Sequence, residues 1–81
     1  MGEIDWKTRI VVNPNVMVGK PVIKGTRITV EAIIGRVAQE MTFDEILQDF
    51  PHIRKEDIQA AIRYAESLVA GDEIIPTIVK G

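Results

Sequence analysis

MTFDEILQDF (residues 41–50), PHI (51–53) and RKEDIQAAIRYAESL (54–68) form the stretch whose reading decides the fold. The first part is apolar at Phe43, Ile46, Leu47 and Phe50. The last is apolar at Ile58, Ala61, Ile62, Ala65 and Leu68, with Val69 just beyond. Both sets follow the i, i+3, i+4, i+7 spacing that gathers side chains on one face of a helix. Pro51 cannot extend the first helix, because its ring replaces the amide hydrogen and crowds the preceding turn. The stretch therefore predicts two amphipathic helices around a short corner, which is the outline of a helix-turn-helix.

The start of the first helix is clearly written. Thr42 is a good N-cap, and Glu45 can reach back to it, making a capping box worth about 1 kcal/mol. Met41 and Ile46 stand at the two positions of a hydrophobic staple, as do Ile53 and Ile58 for the second helix. Arg54 occupies the second cap position, where arginine caps poorly and its charge opposes the helix dipole. Glu56 and Asp57 suit that dipole. Either the boundary is shifted, or Arg54 is retained for another purpose.

Working outward, Thr29 caps a further helix that comes earlier in the chain, with Val30, Ile33, Ile34, Val37, Ala38 and Met41 on one face. Gly35 in its interior costs roughly 1 kcal/mol relative to alanine and lets another backbone approach closely. Before it, RIVV (Arg9 to Val12) is short and β-branched and reads as a strand. Asn13-Pro14-Asn15 is turn chemistry. Val22-Ile23 and Arg27-Ile28 flank Lys24-Gly25-Thr26 as a small hairpin, with Gly25 free to take positive φ. Residues 1–8 read as loose. Gly71 ends the last helix. Beyond it the β-branched tail holds Ile74, Ile75, Ile78 and Val79, and Pro76 bars that tail from a central strand position.

The expected fold is mainly α. A three-helix, homeodomain-like helix-turn-helix core (30–70) follows short strands and a hairpin (9–28). The tail (72–81) is either a C-terminal edge strand of the same chain or a segment that pairs with another. All of it, 1–81, is one small domain.

Composition narrows the function. A chain of 81 residues buries a modest share of its surface, so helix packing supplemented by self-association is the expected support. There is no cysteine, and one histidine, His52, cannot build a metal cluster alone; no metal and no cofactor are expected. His52 reads as a surface turn residue. No apolar run approaches the roughly 20 residues of a membrane span. The N-terminus MGEIDWK lacks the pattern of a signal peptide, and Trp6 stands where a myristoylation signal has Ser or Thr, so a cytoplasmic location without membrane contact is expected. Without a nucleophile–base pair or a phosphate loop, an enzyme is not expected.

The net charge is −2, but it is unevenly spread. Residues 6–30 hold Lys7, Arg9, Lys20, Lys24 and Arg27 and no acid, while residues 31–81 are strongly acidic. In a helix-turn-helix the second helix lies in the major groove with its early residues near base edges. Arg54, Lys55, Gln59 and Arg63 fall on its polar side, where arginine reads guanine and glutamine reads adenine. Glu56 and Asp57 among them would repel phosphate. Lys20, Lys24 and Arg27 around the hairpin offer phosphate contacts, like a wing. Arg27 has a second reading, an internal clamp on Glu31 or Asp49. Trp6 reads as a lid over the core or an interface anchor. Tyr64 reads as a ring at the core edge with its hydroxyl in water. Ile74, Ile75, Ile78 and Val79 are the candidate partner-binding residues of the tail.

Residues 10 to 68 resemble a prokaryotic family catalogued as domain of unknown function 433. The most specific part is GKPVIKGTRI, Gly19 to Ile28, and the DFP and EDI elements follow at the expected distances. Two positions depart from the usual pattern: Arg54 where threonine is common, and Thr29 where proline is frequent. The resemblance implies a small winged or homeodomain-like helical protein. It further implies an antitoxin encoded beside a PIN-like ribonuclease toxin, which binds its own operator DNA as a homodimer and neutralises the toxin with another segment. The competing expectation is a protein-interaction module of the same fold that dimerises or binds a partner without touching DNA.

Overall fold

The structure, a computed structural model, describes residues 5–71 and 77–79. Two short strands precede three helices and a third follows them. The strands are β1 (Ile10–Val12), β2 (Pro21–Ile23) and β3 (Thr77–Ile78); the helices are α1 (Val30–Ala38), α2 (Phe43–Asp49) and α3 (Lys55–Val69). Helix dominates, and the sheet is a small three-stranded one of order β2-β1-β3.

The caps act as their chemistry dictates. Thr29 accepts the amide of Ala32, and Thr42 with Glu45 forms the full capping box that starts α2. Ile46, Ile53 and Ile58 are buried together, and Met41 packs against them, so both staples close. α3 does begin after Arg54. No side chain of that residue caps it; instead the Arg54 amide donates to Asp57 Oδ2 at 2.9 Å, half of a capping box.

α1 ends at Ala38, three residues short of the apolar periodicity. The Glu40 amide donates to the Val37 carbonyl and the Met41 amide to the Arg36 carbonyl, which is the pairing of a Schellman stop. Glu40 supplies the left-handed residue with φ +63°, a role that glycine fills at lower cost. Met41 is thereby swung out of the helix and onto the core as the staple of α2.

The expected hairpin closes only in part. β2 pairs antiparallel with β1 (Ile10 opposite Ile23), while residues 24–28 form a tight turn that returns Ile28 to Ile23. Arg27-Ile28 therefore makes no strand; an isolated bridge joins Val22 to Thr29. Gly25 has φ +79°, as that turn requires. The connection between β1 and β2 passes through left-handed Met17 and Val18, and Val18 is 95% exposed. In the tail, β3 runs parallel to β1, with Val11 opposite Thr77 and the Val79 amide donating to the Val12 carbonyl at 2.6 Å. The edge-strand reading of the tail holds for those residues.

Residues 6–8 are not loose. Trp6–Thr8 form a 3₁₀ turn capped by Asp5, and Trp6 is buried. Its ring meets Tyr64 edge-on, with centroids 5.0 Å apart and planes at 66°. Trp6 is a lid over the core. The ring of Tyr64 is correspondingly more buried than a core-edge position suggests. The core itself is formed by Ile10 and Ile23 from the sheet, Ile33 from α1, Ile46 from α2, and Ile58 and Ala61 from α3.

Burial pushes the Tyr64 phenol above its ordinary value of 10.0. A raised phenol means that the unfolded chain loses this proton first. Stability is then fully present below pH 10 and declines as pH rises toward the folded value. Tyr64 is the only tyrosine, so phenolate absorbance reports it alone. Its midpoint should lie higher in the folded protein than in denaturant; equal midpoints would contradict the burial.

An added Cβ at Gly35 meets nothing within 4 Å. Gly35→Ala should therefore stabilise the protein by about 1 kcal/mol, and Glu40→Gly by about 0.5–1 kcal/mol, both read as denaturant midpoints.

Candidate nucleic-acid interface

The basic residues singled out by sequence divide into two groups once their neighbours are known. Lys20 Nζ lies 2.9 Å from Glu31, and Arg63 Nη1 lies 3.0 Å from Glu66. Both charges are locally neutralised. Lys24, Arg27, Arg54 and Lys55 are exposed, and none has an ion pair among the described residues. Gln59 is half-buried and falls one helical turn beyond Lys55, on the same side of α3.

The internal clamp envisaged for Arg27 is not formed. Glu31 is taken by Lys20, and Asp49 by Arg36, whose Nε lies 3.0 Å away. Arg36 also donates to the Ala32 carbonyl and places its guanidinium 4.3 Å from the centre of the Phe50 ring. It thereby pins the end of α2 to α1. The α1 and α2 helical frames put Arg36, a residue with no candidate role in the sequence, on the side that meets Asp49.

Arg9 is the residue that sequence reasoning missed. Its Nη1 lies 3.1 Å from Asp57 Oδ1, across 48 positions of chain. The carboxylate is buried, and its other oxygen takes the Arg54 amide. Asp57 is thus consumed by a cap and a counter-ion, which removes most of the phosphate repulsion expected from it. The backbone carbonyl of Arg9 accepts the Lys24 amide at 2.8 Å. Lys24, Arg9 and the Arg54–Lys55 entry of α3 therefore lie on contiguous parts of the surface. The turn that carries Lys24 and Arg27 also borders a depression of about 550 Å³ floored by Val11 and Val22. Lys20 stands apart from this surface, beside Glu31 and the side of α3 that carries Leu68.

Of the candidate partner-binding residues in the tail, Ile78 is 60% exposed and Val79 is half-buried. Ile74 and Ile75 lie outside the described residues. Among the described residues no group of three or more metal-ligating side chains comes together, and no helix is long and apolar enough to cross a membrane.

A family model described as "Protein of unknown function (DUF433)" matches residues 10–65. The chain belongs to this family. The match starts at β1 and ends inside α3, so it takes in the hairpin, all of α1 and α2, and the Asp57 clamp of this DUF433 protein. Arg9, the other half of the clamp, and Trp6, which meets Tyr64, precede the matched residues. No curated protein and no solved structure matches the chain.

The clamp has a measurable weight. Asp57→Ala removes both an N-cap and a charged hydrogen bond, and should cost about 2–3 kcal/mol in denaturant unfolding. Arg9→Ala should cost about 1–2 kcal/mol, less than a fully buried pair, because the arginine side chain remains 32% exposed. The double variant should fall short of the sum, since each substitution removes the same bond.

Proposed function

We propose that this protein is a DNA-binding regulator in which the α2–corner–α3 unit works as a helix-turn-helix and the start of α3 enters the major groove. One observation carries the reading. Arg54 and Lys55 stand exposed at the N-terminus of α3, free of ion pairs among the described residues, while the nearby carboxylate of Asp57 is buried under Arg9. A helix N-terminus with outward cations and amides is suited to a phosphate-lined groove. Lys55 and Gln59 then face base edges, and Lys24 and Arg27 hold backbone phosphates beside them. Arg63, already paired with Glu66, contributes least on α3.

The antitoxin role belongs to the same proposal and is supported by the family resemblance. In that role the protein represses its own operon and neutralises a PIN-like ribonuclease, with exposed Ile78 on the partner-binding side. The competing reading, an interaction module without DNA contact, draws support from Leu68 and Val69, which the last turn of α3 leaves 51% and 89% exposed.

Mobility-shift titrations with the DNA upstream of its own gene test the reading. Arg54→Ala and Lys55→Ala should each weaken the preferred site by about 1–3 kcal/mol. Lys24→Ala with Arg27→Ala should weaken all sequences alike and flatten the log K against log salt slope by about 1.8. Lys20→Ala, whose charge is already matched by Glu31, should change little. If no sequence-selective shift occurs at any salt concentration, the DNA-binding reading is wrong.

A further inference from the structure

We propose that the depression on the far face of the sheet binds a small organic oxyanion that carries an aliphatic tail. The inference stands apart from DNA binding, although Lys24 and Arg27 serve both readings.

Successive strand residues point to opposite faces of a sheet. Ile10 and Ile23 face the core, so Val11 and Val22, paired in the next register position, face the other way. No helical residue lines the depression on that side. Yet Val11 is 6% and Val22 1% exposed. The connection at Val16, the turn at 24–27 and Val79 after β3 cover them instead, walling a space of about 550 Å³. Small-molecule sites span roughly 300–1,000 Å³, and their walls are mostly apolar with a few placed polar groups. Here the apolar part is four valines, at 11, 16, 22 and 79.

The rim selects the charge. Lys24 and Arg27 line the depression, and neither has an ion pair among the described residues. No carboxylate lines it. Residues 6–30, which supply all of the lining except Val79, contain no acid. The two cations stand on a braced turn. The Lys24 amide donates to the Arg9 carbonyl at 2.8 Å. Between them the Thr26 hydroxyl donates to the Ile23 carbonyl at 2.8 Å and accepts the Ile28 amide at 3.0 Å. A fixed base for both side chains lowers the ordering cost of binding. Arginine can take two oxygens of one oxyanion side by side, and lysine adds a point charge. A nucleic-acid backbone answers this rim and leaves the valines unused. A neutral lipid fills the valine floor and leaves the rim unanswered. A compact anion with an aliphatic body answers both.

Titration of the full chain with octanoate, followed by amide and methyl NMR shifts, tests this. Saturable binding is expected with a dissociation constant of about 1 mM or tighter. The largest shifts should fall on Val11, Val16, Val22 and Gly25. From butanoate to octanoate, affinity should rise about twofold or more per methylene. Octanol and acetate each keep half of the chemistry and should bind about 10-fold more weakly or worse. Octyl phosphate in parallel distinguishes the two head groups; the tighter ligand names the one the rim takes. Lys24→Ala with Arg27→Ala should weaken octanoate about 10-fold and leave octanol unchanged. Both side chains are exposed, so the circular dichroism of the double variant should match the parent. Lys20→Ala, already matched by Glu31, should change nothing. No saturable shift up to about 10 mM would overturn the proposal. So would equal binding of octanoate and octanol, or shifts centred on Ile34 and Leu68 instead. Absence of any DNA binding would sink the regulator reading and leave this result as it stands.

Discussion

A buried carboxylate is costly unless every lone pair and its charge are answered, and the fold is arranged around answering Asp57. One oxygen closes the open amide of Arg54 at the start of α3, and the other meets the guanidinium of Arg9. Because Arg9 leads into β1, and its carbonyl holds the turn after β2, this one side chain joins the sheet to the longest helix. The Trp6–Tyr64 contact closes the same seam from the apolar side, two turns further along α3. An edge-on aromatic pair and a charged hydrogen bond act on the same two elements, so the N-terminal segment is tied down at two points rather than one.

Arg54 at a cap position is explained by the same carboxylate. Arginine offers no acceptor for the free amides of a helix start. Asp57 takes over half of the capping by accepting from the Arg54 backbone, which leaves the arginine side chain outside. A threonine there would cap better and present no charge. The weak cap and the exposed cation at the start of α3 are thus two consequences of the same residue.

The same logic divides the remaining cations. Lys20, Arg36 and Arg63 each face a carboxylate at about 3 Å and serve to bind elements or edges together. Lys24, Arg27, Arg54 and Lys55 face solvent; the Lys24 backbone is bonded to Arg9, and Arg54 is joined to Arg9 through Asp57. The basic surface and the exposed apolar end of α3 have different charged neighbours: Arg9 and Asp57 on one, Lys20 and Glu31 beside Leu68 on the other. That separation is what allows one small chain to offer a charged surface and a greasy surface at once.

Local chemistry settled much of this in advance. Thr29 and Thr42 are good caps before an apolar-periodic run, and Pro51 and Gly71 mark helix ends, so three helices and the starts of the first two were legible from residue order, while the start of α3 at Arg54 was left open. The DUF433 pattern was legible for the same reason, as a run of turn and cap residues at set distances. What residue order could not supply is which distant groups meet. Residue order offered Arg27 as a clamp on Asp49, which Arg36 holds instead, and Arg9 gave no sign that its partner lay 48 positions away. Strand pairing was legible only in part for a related reason: Val22 and Ile23 do pair back to Thr29 and Ile28 across the turn, but the main ladder is with β1, which brings Ile10 opposite Ile23 and buries both. Caps and turns act over four or five residues, whereas ion pairs and sheet register depend on how whole elements pack, and that is decided by the shared core.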